Sequence, residues 1–441
     1  MAGNKLPGSI LEPFQSLSLS STTVEFGKDF AGNKTPEEIA EAVGQFLHLH
    51  TGYKIDKFHL YFCPSEKFLP EIENWVAYVI GKGVENLNLD FSMEFDSRQG
   101  EEYILSFPKS LINLSLSDSG FSTLRSLSLS YVNLTGNKLQ QLISNCPLLD
   151  ALSIINCSSE DSVTISSQRL QKFTFVNSNW EILGINISTP NLESFIYHGI
   201  HIFGEEEFDP EECFVDISSL SDAFISAVDS SEPEHDFIKL VYDLRHVKVL
   251  TVCTYTLWRV TIYEDEKLPI LLQNLKELQL LMCTMTMEDL DCIYNFFRLC
   301  PSPFLEKLFI HIPDFAQDML EEPYVKQEIR DPFEVNLNHL KVVKMSNFKG
   351  RDAEMRLVKF LLQKVYTLEF LVLVGPKSAN KSLDAEPSSS VQESAHKRIN
   401  DMCAQLSSLP KASSQARVLI CEHSEDDMSL TPTHTRYFEE Y

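Results

Sequence analysis

His198 and His201 stand three positions apart, a spacing at which two imidazoles can share a zinc ion. They follow a predicted strand and have no Cys or further His beside them, so an ordinary solvated pair is the expectation. Other signatures of chemistry are missing. The chain has no Gly-x-Gly-x-x-Gly turn and no Gly-Lys-Ser/Thr step to cradle phosphate. It has no Gly-x-Ser-x-Gly elbow and no His-Glu-x-x-His helix. Its 12 histidines are scattered, and a Ser/His/Asp triad, which forms only in space, has no sequence support. No cofactor, metal ligand or catalytic residue is expected, and the chain does not read as an enzyme.

What remains is recognition, and the elements that display it are periodic. Twelve times the chain repeats the frame apolar, two free residues, apolar, one free residue, apolar. The frames begin at Ile55, Val84, Leu111, Leu124, Leu149, Leu170, Leu192, Val247, Leu275, Leu305, Leu340 and Leu368. Their spacings are 29, 27, 13, 25, 21, 22, 55, 28, 30, 35 and 28 residues. Leucine-rich repeats recur at about 20–29 residues. The gap of 13 has no room for a helix, and the gap of 55 holds either an insertion or a repeat too degenerate to see. Each frame alternates like a half-buried strand.

Helical stripes precede many of these strands. Ile72, Trp75, Val76 and Val79 share one face of a helix, as do Leu139, Leu142, Ile143 and Cys146. The same spacing holds for Leu290, Ile293, Tyr294 and Phe297, and for Val358, Leu361, Leu362 and Val365. It returns at Ile39, Ala42, Val43 and Phe46, and at Ile399, Met402, Cys403 and Leu406. Pro147 and Pro301 stop two of these helices. Helix and strand in alternation give a parallel sheet backed by helices. The fold class expected is α/β, a leucine-rich-repeat solenoid curved into a horseshoe with strands inside.

Side chains alternate across a strand, so the free residues of each frame face the concavity. Early frames place small polar groups there: Asn86, Asn88 and Asp90; Asn113, Ser115 and Ser117; Ser126, Ser128 and Ser130. Later frames place larger ones: Glu277, Gln279 and Leu281; Lys307, Phe309 and His311; Val342, Lys344 and Ser346; Phe370, Val372 and Val374. Large apolar groups on an open face mark an interaction site. The candidate protein-binding residues are therefore Leu281, Phe309, His311, Lys344 and Val372. On this reading Phe309→Glu weakens target capture and leaves the fold intact. Against it stands the reading that a loop or the C-terminal domain covers the same residues as core.

Composition bounds the partners. Net charge is −26 over 441 residues, which disfavours nucleic acid and anionic membranes. From Phe173 to Ile238 the chain carries 14 Asp and Glu and no Lys or Arg. That stretch is either a solvated insertion, at about 200–236, or an acidic flank that steers a basic protein partner. The start has no secretory signal pattern, and no run of about 18 apolar residues spans a membrane. Ten cysteines lie far apart with no Cys-x-x-Cys. Cys157 and Cys283 fall at repeat positions, and Cys146 and Cys300 at predicted helix ends, so they read as buried hydrophobes of a reducing compartment. The sequons at Asn113 and Asn133 sit in or beside predicted strands and read as accidental. Cytoplasm or nucleus is the expected location.

Leu124-Arg-Ser-Leu-Ser-Leu-Ser-Tyr-Val-Asn-Leu134, followed by Leu142-Ile-Ser-Asn-Cys-Pro-Leu-Leu149, resembles the repeats of plant F-box/LRR proteins. Leu340-Lys-Val-Val-Lys-Met-Ser-Asn-Phe-Lys-Gly350 continues through Leu357-Val-Lys-Phe-Leu-Leu362 and Leu368-Glu-Phe-Leu371. It closes with Leu409-Pro-Lys-Ala-Ser-Ser-Gln-Ala-Arg-Val-Leu-Ile420. That series is similar to the FBD domain, a strand–helix cap that ends many of those proteins. The resemblance implies a substrate receptor of a cullin-type (SCF) ubiquitin ligase, whose repeats hold the target. It also implies an N-terminal F-box for the ligase adaptor. No leucine/proline-rich helical block with a Ser-Lys-Arg-Trp-like segment precedes Lys54, so adaptor binding is expected only where an F-box is supplied.

The expected organisation is an N-terminal segment, 1–53, partly helical and without an F-box; repeats, 54–330; an FBD domain, 331–421, with a loop at about 377–394; and a disordered tail, 422–441. Two other readings stand beside the receptor: an interaction scaffold unrelated to ubiquitin, and a small-molecule sensor with its pocket in the horseshoe.

Overall fold

The computed structural model describes residues 18–63, 65–93, 105–106, 121–134, 138–159, 163–177, 185–199, 214–227, 241–261, 269–312, 335–376, 405–406, 408–423, 426 and 430–435. They fall into two compact units, Met1–Ser219 and Leu220–Tyr441.

In the N-terminal unit the strands are β1 (Thr23–Phe26), β2 (Lys57–Tyr61), β3 (Asn86–Asp90), β4 (Leu105–Ser106), β5 (Ser126–Ser130), β6 (Val132–Asn133), β7 (Ala151–Ile155), β8 (Val163–Ser166), β9 (Lys172–Asn177), β10 (Ile185–Ser188), β11 (Ser194–Gly199) and β12 (Phe214–Asp216). The helices are α1 (Lys28–Ala31), α2 (Pro36–Leu49), α3 (Leu69–Gly81) and α4 (Lys138–Ser144). The main parallel sheet runs β1-β2-β3-β5-β7-β9-β11. Its register stacks the apolar positions of successive frames into two rows. One is Val24, Phe58, Leu87, Leu127, Leu152, Phe173 and Phe195; the next is Phe26, Leu60, Leu89, Leu129, Ile154, Phe175 and Tyr197. All are buried, and each such side chain contributes roughly 1.5–3 kcal/mol.

Backbone bonds fix the stagger between rungs. Glu85 O accepts from Arg125 N and Ser126 N at 2.8 and 3.0 Å, and Arg125 O accepts from Asp150 N and Ala151 N at 2.9 and 3.0 Å. The same relay returns in the second unit, where Lys276 O accepts from Glu306 N and Lys307 N at 2.9 Å each.

The outer layer follows the spacing. Where frames lie 25 or more residues apart there is room for a helix: α2, α3 and α4 are amphipathic, with buried faces built from the stripes read in the sequence. Thr35 and Glu38 close a capping box at the start of α2. Where the spacing falls to 21 and 22 residues, the strands β8 and β10 take the place of the helix, and β12, between the frames at Leu192 and Leu220, joins them in a small parallel sheet of order β12-β10-β8.

In the C-terminal unit the strands are β13 (Asp222–Ala227), β14 (Val249–Cys253), β15 (Glu277–Leu281), β16 (Lys307–His311), β17 (Val342–Ser346), β18 (Phe370–Val374) and β19 (Arg417–Cys421). They form a parallel sheet in chain order, backed by α5 (Thr254–Thr261), α6 (Met287–Leu299) and α7 (Asp352–Lys364). Cys300 caps α6 just before Pro301.

The structure adds detail to three parts of the sequence reading. The repeats begin at β1 rather than at Lys54, because Val24 and Phe26 extend the two buried rows. The 55-residue gap contains a further repeat: Leu220, Ala223 and Ile225 hold the frame positions, with alanine where leucine is usual. The frame placed at Leu111 lies outside the described residues; of its described neighbours, β3 pairs with β5.

The end of the chain has the order of the FBD-like series. After β17 the chain turns through Asn347 (φ 61°), Phe348 and Gly350 (φ 72°) into α7. Gly350 takes the left-handed backbone at the least steric cost. Glu354, buried in the first turn of α7, accepts Lys349 N, Gly350 N and Arg351 N on Oε2 at 2.8, 2.7 and 3.3 Å. The Pro-Lys-Ala-Ser segment anchors the last strand: Ala412 N donates to Leu362 O, and Ser413 Oγ donates to Leu368 O at 2.7 Å.

Candidate functional site

The inner faces of the two sheets differ. In the N-terminal unit the register lines up Glu25, His59, Asn88, Ser128, Ser153, Thr174 and Ile196. Glu25 is exposed and the rest half-buried. These are mostly small polar groups, and this face stays accessible. Burial holds the His59 imidazole below its ordinary range, against opposing pulls from Asp90 and Glu25.

In the C-terminal unit the matching central row is Phe224, Thr251, Gln279, Phe309, Lys344, Val372 and Leu419. From Phe224 to Val372 every member is buried. The row beside it holds Cys253, Leu281, His311, Ser346, Val374 and Cys421. The five candidate residues thus come together. Phe309, Lys344 and Val372 are consecutive in one row, and Leu281 and His311 are neighbours in the next. They are not open to solvent. Leu281 is 3% exposed, Phe309 4%, Lys344 5% and Val372 6%, while His311 is half-buried. Phe309→Glu would therefore bury a carboxylate and perturb packing as well as recognition.

Part of the cover is the chain's own C-terminal segment. Lys344 Nζ lies 2.7 Å from Asp426 Oδ1, donates to Oδ2 at 2.8 Å, and donates to Leu430 O at 3.0 Å. Thr433 N donates to Glu277 Oε1 at 2.6 Å. His434 Nδ1 is 2.7 Å from Thr251 Oγ1, which also donates to Gln279 Oε1. His434 Nε2 is 3.2 Å from Asp222 Oδ1, and its ring meets Phe224 edge-on at 5.7 Å. The segment crosses the strands from β17 to β13. The sequence reading leaves 422–441 disordered; its described residues 426 and 430–434 instead supply polar partners to buried inner-face groups. Sequence reasoning also missed Asp222, Phe224 and Thr251. Thr251 was within reach, in the frame that opens at Val247, whereas the other two sit in the repeat disguised by Ala223.

Among the described residues no cluster of three or more His, Cys, Asp or Glu side chains is arranged to hold a metal. His198 lies on β11, and His201 is outside the described residues. The described cysteines are free thiols. Burial pushes Cys146, Cys157 and Cys300 up to about 12, so these thiols stay protonated and unreactive. Among the described residues no helix is long and apolar enough to cross a membrane.

Comparison with known proteins fits this geometry. A family model described as the LRR domain of At1g61320/AtMIF1 matches residues 46–422. The chain belongs to that family. Of its relatives in Arabidopsis thaliana, the FBD-associated F-box protein At1g61320 is 24% identical over 396 residues, 83% of each chain. The F-box/FBD/LRR-repeat protein At1g13570 is 24% identical over 392 residues, 85% of this chain and 82% of its own. The protein is thus a leucine-rich-repeat chain of the plant F-box/FBD/LRR type, and its repeats form a protein-interaction module.

Proposed function

We propose that this chain is the target-holding part of an SCF-type ubiquitin ligase receptor. The single observation that carries the proposal is the family match over residues 46–422, together with relatives named as F-box proteins. The ladder of parallel strands supports it physically: a rigid sheet displays inner-face side chains at fixed spacing, which suits recognition of a protein surface. Two inner faces are on offer, a half-exposed polar one in the N-terminal unit and a covered one in the C-terminal unit. The larger anchors belong to the latter, so the target is assigned to Leu281, Phe309, His311, Lys344 and Val372. A basic flank on the target, meeting the acidic stretch of 173–238, is part of the proposal, as is action in the cytoplasm or nucleus.

The second reading is an adaptor-independent scaffold, because the repeats that the family model covers can hold a partner without a ligase. Two measurements separate the readings. The first compares adaptor pull-down by the chain alone and by the chain fused behind an F-box. The second follows the half-lives of captured proteins after the chain is depleted. The receptor reading requires that captured proteins lengthen their half-lives; unchanged half-lives for all of them leave the scaffold.

A further inference from the structure

We infer that Asp426 and residues 430–434 are a displaceable occupant of the C-terminal unit's inner face. In their place that face takes an extended polypeptide carrying a carboxylate for Lys344. The inference deepens the receptor reading and rests on its premise that this face holds a protein.

Lys344 is the reason to look. It sits on the inner face of β17 between Phe309 and Val372, 5% exposed. A buried ammonium needs an anion. Its carboxylate comes from 82 residues downstream rather than from the sheet. An anion delivered by a segment outside the sheet can be delivered by another chain.

The rest of the contact has the character of a guest. The segment presents groups any polypeptide owns: the Leu430 carbonyl to Lys344 and the Thr433 N–H to Glu277. Among its described residues only His434 is buried, while Thr431 and Thr433 are exposed and Leu430 is half-exposed. Among its described residues the hold on the face is polar rather than hydrophobic, whereas the strands beneath carry buried apolar rows. The recognition code is a carboxylate at one end and, eight residues on, a ring that meets Phe224, Thr251 and Asp222.

The experiment uses the full chain and a fluorescent synthetic peptide of residues 422–435. Asp426→Lys in the full chain places two cations together and should lift the segment. If the native segment is docked in about nine of ten molecules, the peptide should bind the variant about tenfold more tightly than wild type. A peptide carrying the same Asp426→Lys change should bind neither. Lys344→Asp in the full chain should abolish capture of the native peptide and restore capture of the altered one. Native-state hydrogen exchange of wild type provides the second measurement: residues 430–434 should exchange well before the amides of β17. The inference is overturned if Asp426→Lys unfolds the unit. It is equally overturned if the folded variant binds no peptide, or if the segment exchanges as slowly as β17. No target or adaptor enters this assay, so its failure leaves the ligase assignment untouched, and failure of adaptor capture leaves this result standing.

Discussion

Glu354 offers the most quantitative test of how the C-terminal unit is held together. Its side chain is 1% exposed, and a single oxygen collects three backbone N–H groups from the turn between β17 and α7. Hydrogen bonds to a charged acceptor are worth about 1.5–3 kcal/mol each. Lys349, Gly350 and Arg351 are only half-buried, so water can replace part of the loss. Removing a buried carboxylate also returns some desolvation energy. Glu354→Ala should therefore cost about 2–3 kcal/mol. For a unit of this size that is a Tm drop of about 5–10 °C. Glu354→Gln keeps an oxygen acceptor without the buried charge and should cost about 1 kcal/mol or less. The pH dependence gives an independent check. Burial raises the carboxyl above its ordinary value of 4.5, more strongly than the three N–H groups lower it. The native state then binds a proton that the unfolded state releases. This group's contribution is fully present below 4.5 and is lost as pH rises through the native value. Stability of wild type relative to Glu354→Gln should thus be greatest in acid and shrink toward neutrality. Urea unfolding followed by circular dichroism from pH 4 to 8 measures it. A Glu354→Ala variant within about 0.5 kcal/mol of wild type, or a difference that grows with pH, would refute the reasoning.

Other expectations follow from single contacts. Ser413→Ala removes the 2.7 Å bond to Leu368 O and should cost about 1–2 kcal/mol, read as a lower urea midpoint at unchanged slope. Phe309→Ala should lower unfolding free energy by about 3 kcal/mol, as for a buried core phenylalanine. If it leaves stability unchanged, the face is more open than its 4% exposure states. The on-rate of an identified partner should fall as salt rises from 50 to 300 mM if the acidic stretch steers it; a flat profile in stopped-flow would assign that stretch to solvation alone.

The architecture was legible wherever leucine held both buried rows. The frames from Val84, Leu124, Leu149, Leu275, Leu305, Leu340 and Leu368 all deliver sheet strands, and five helical stripes fall on α2, α3, α4, α6 and α7. Failures occur where another residue could fill the same volume. Thr23-Val-Glu-Phe26 has no leucine to announce it, and Ala223 conceals β13. The helix α5 was missed because Thr254-Tyr-Thr-Leu-Trp-Arg-Val-Thr261 mixes β-branched and aromatic residues that favour strands locally. The outer strands β8 and β10 carry plain alternation, Val163-Thr-Ile165 and Ile185-Asn-Ile187, but the layer expected behind the sheet was helical. The inner-face residues were readable because period two is strict once register is set. Their cover was not. Asp426, Thr433 and His434 sit in a polar, aperiodic stretch that resembles solvated tail, and their value lies in partners on strands far upstream.

The direct pairing of β3 with β5 has a consequence for how such chains diversify. Thirty-five residues lie between those two strands, and yet the rungs are as closely spaced as any other pair. Connector length is thus uncoupled from rung position. Insertions and deletions can accumulate on the back of the ladder while single-residue exchanges remodel its front. A lineage built on this plan can alter its bulk and its specificity through separate kinds of mutation, neither obliging the other to change.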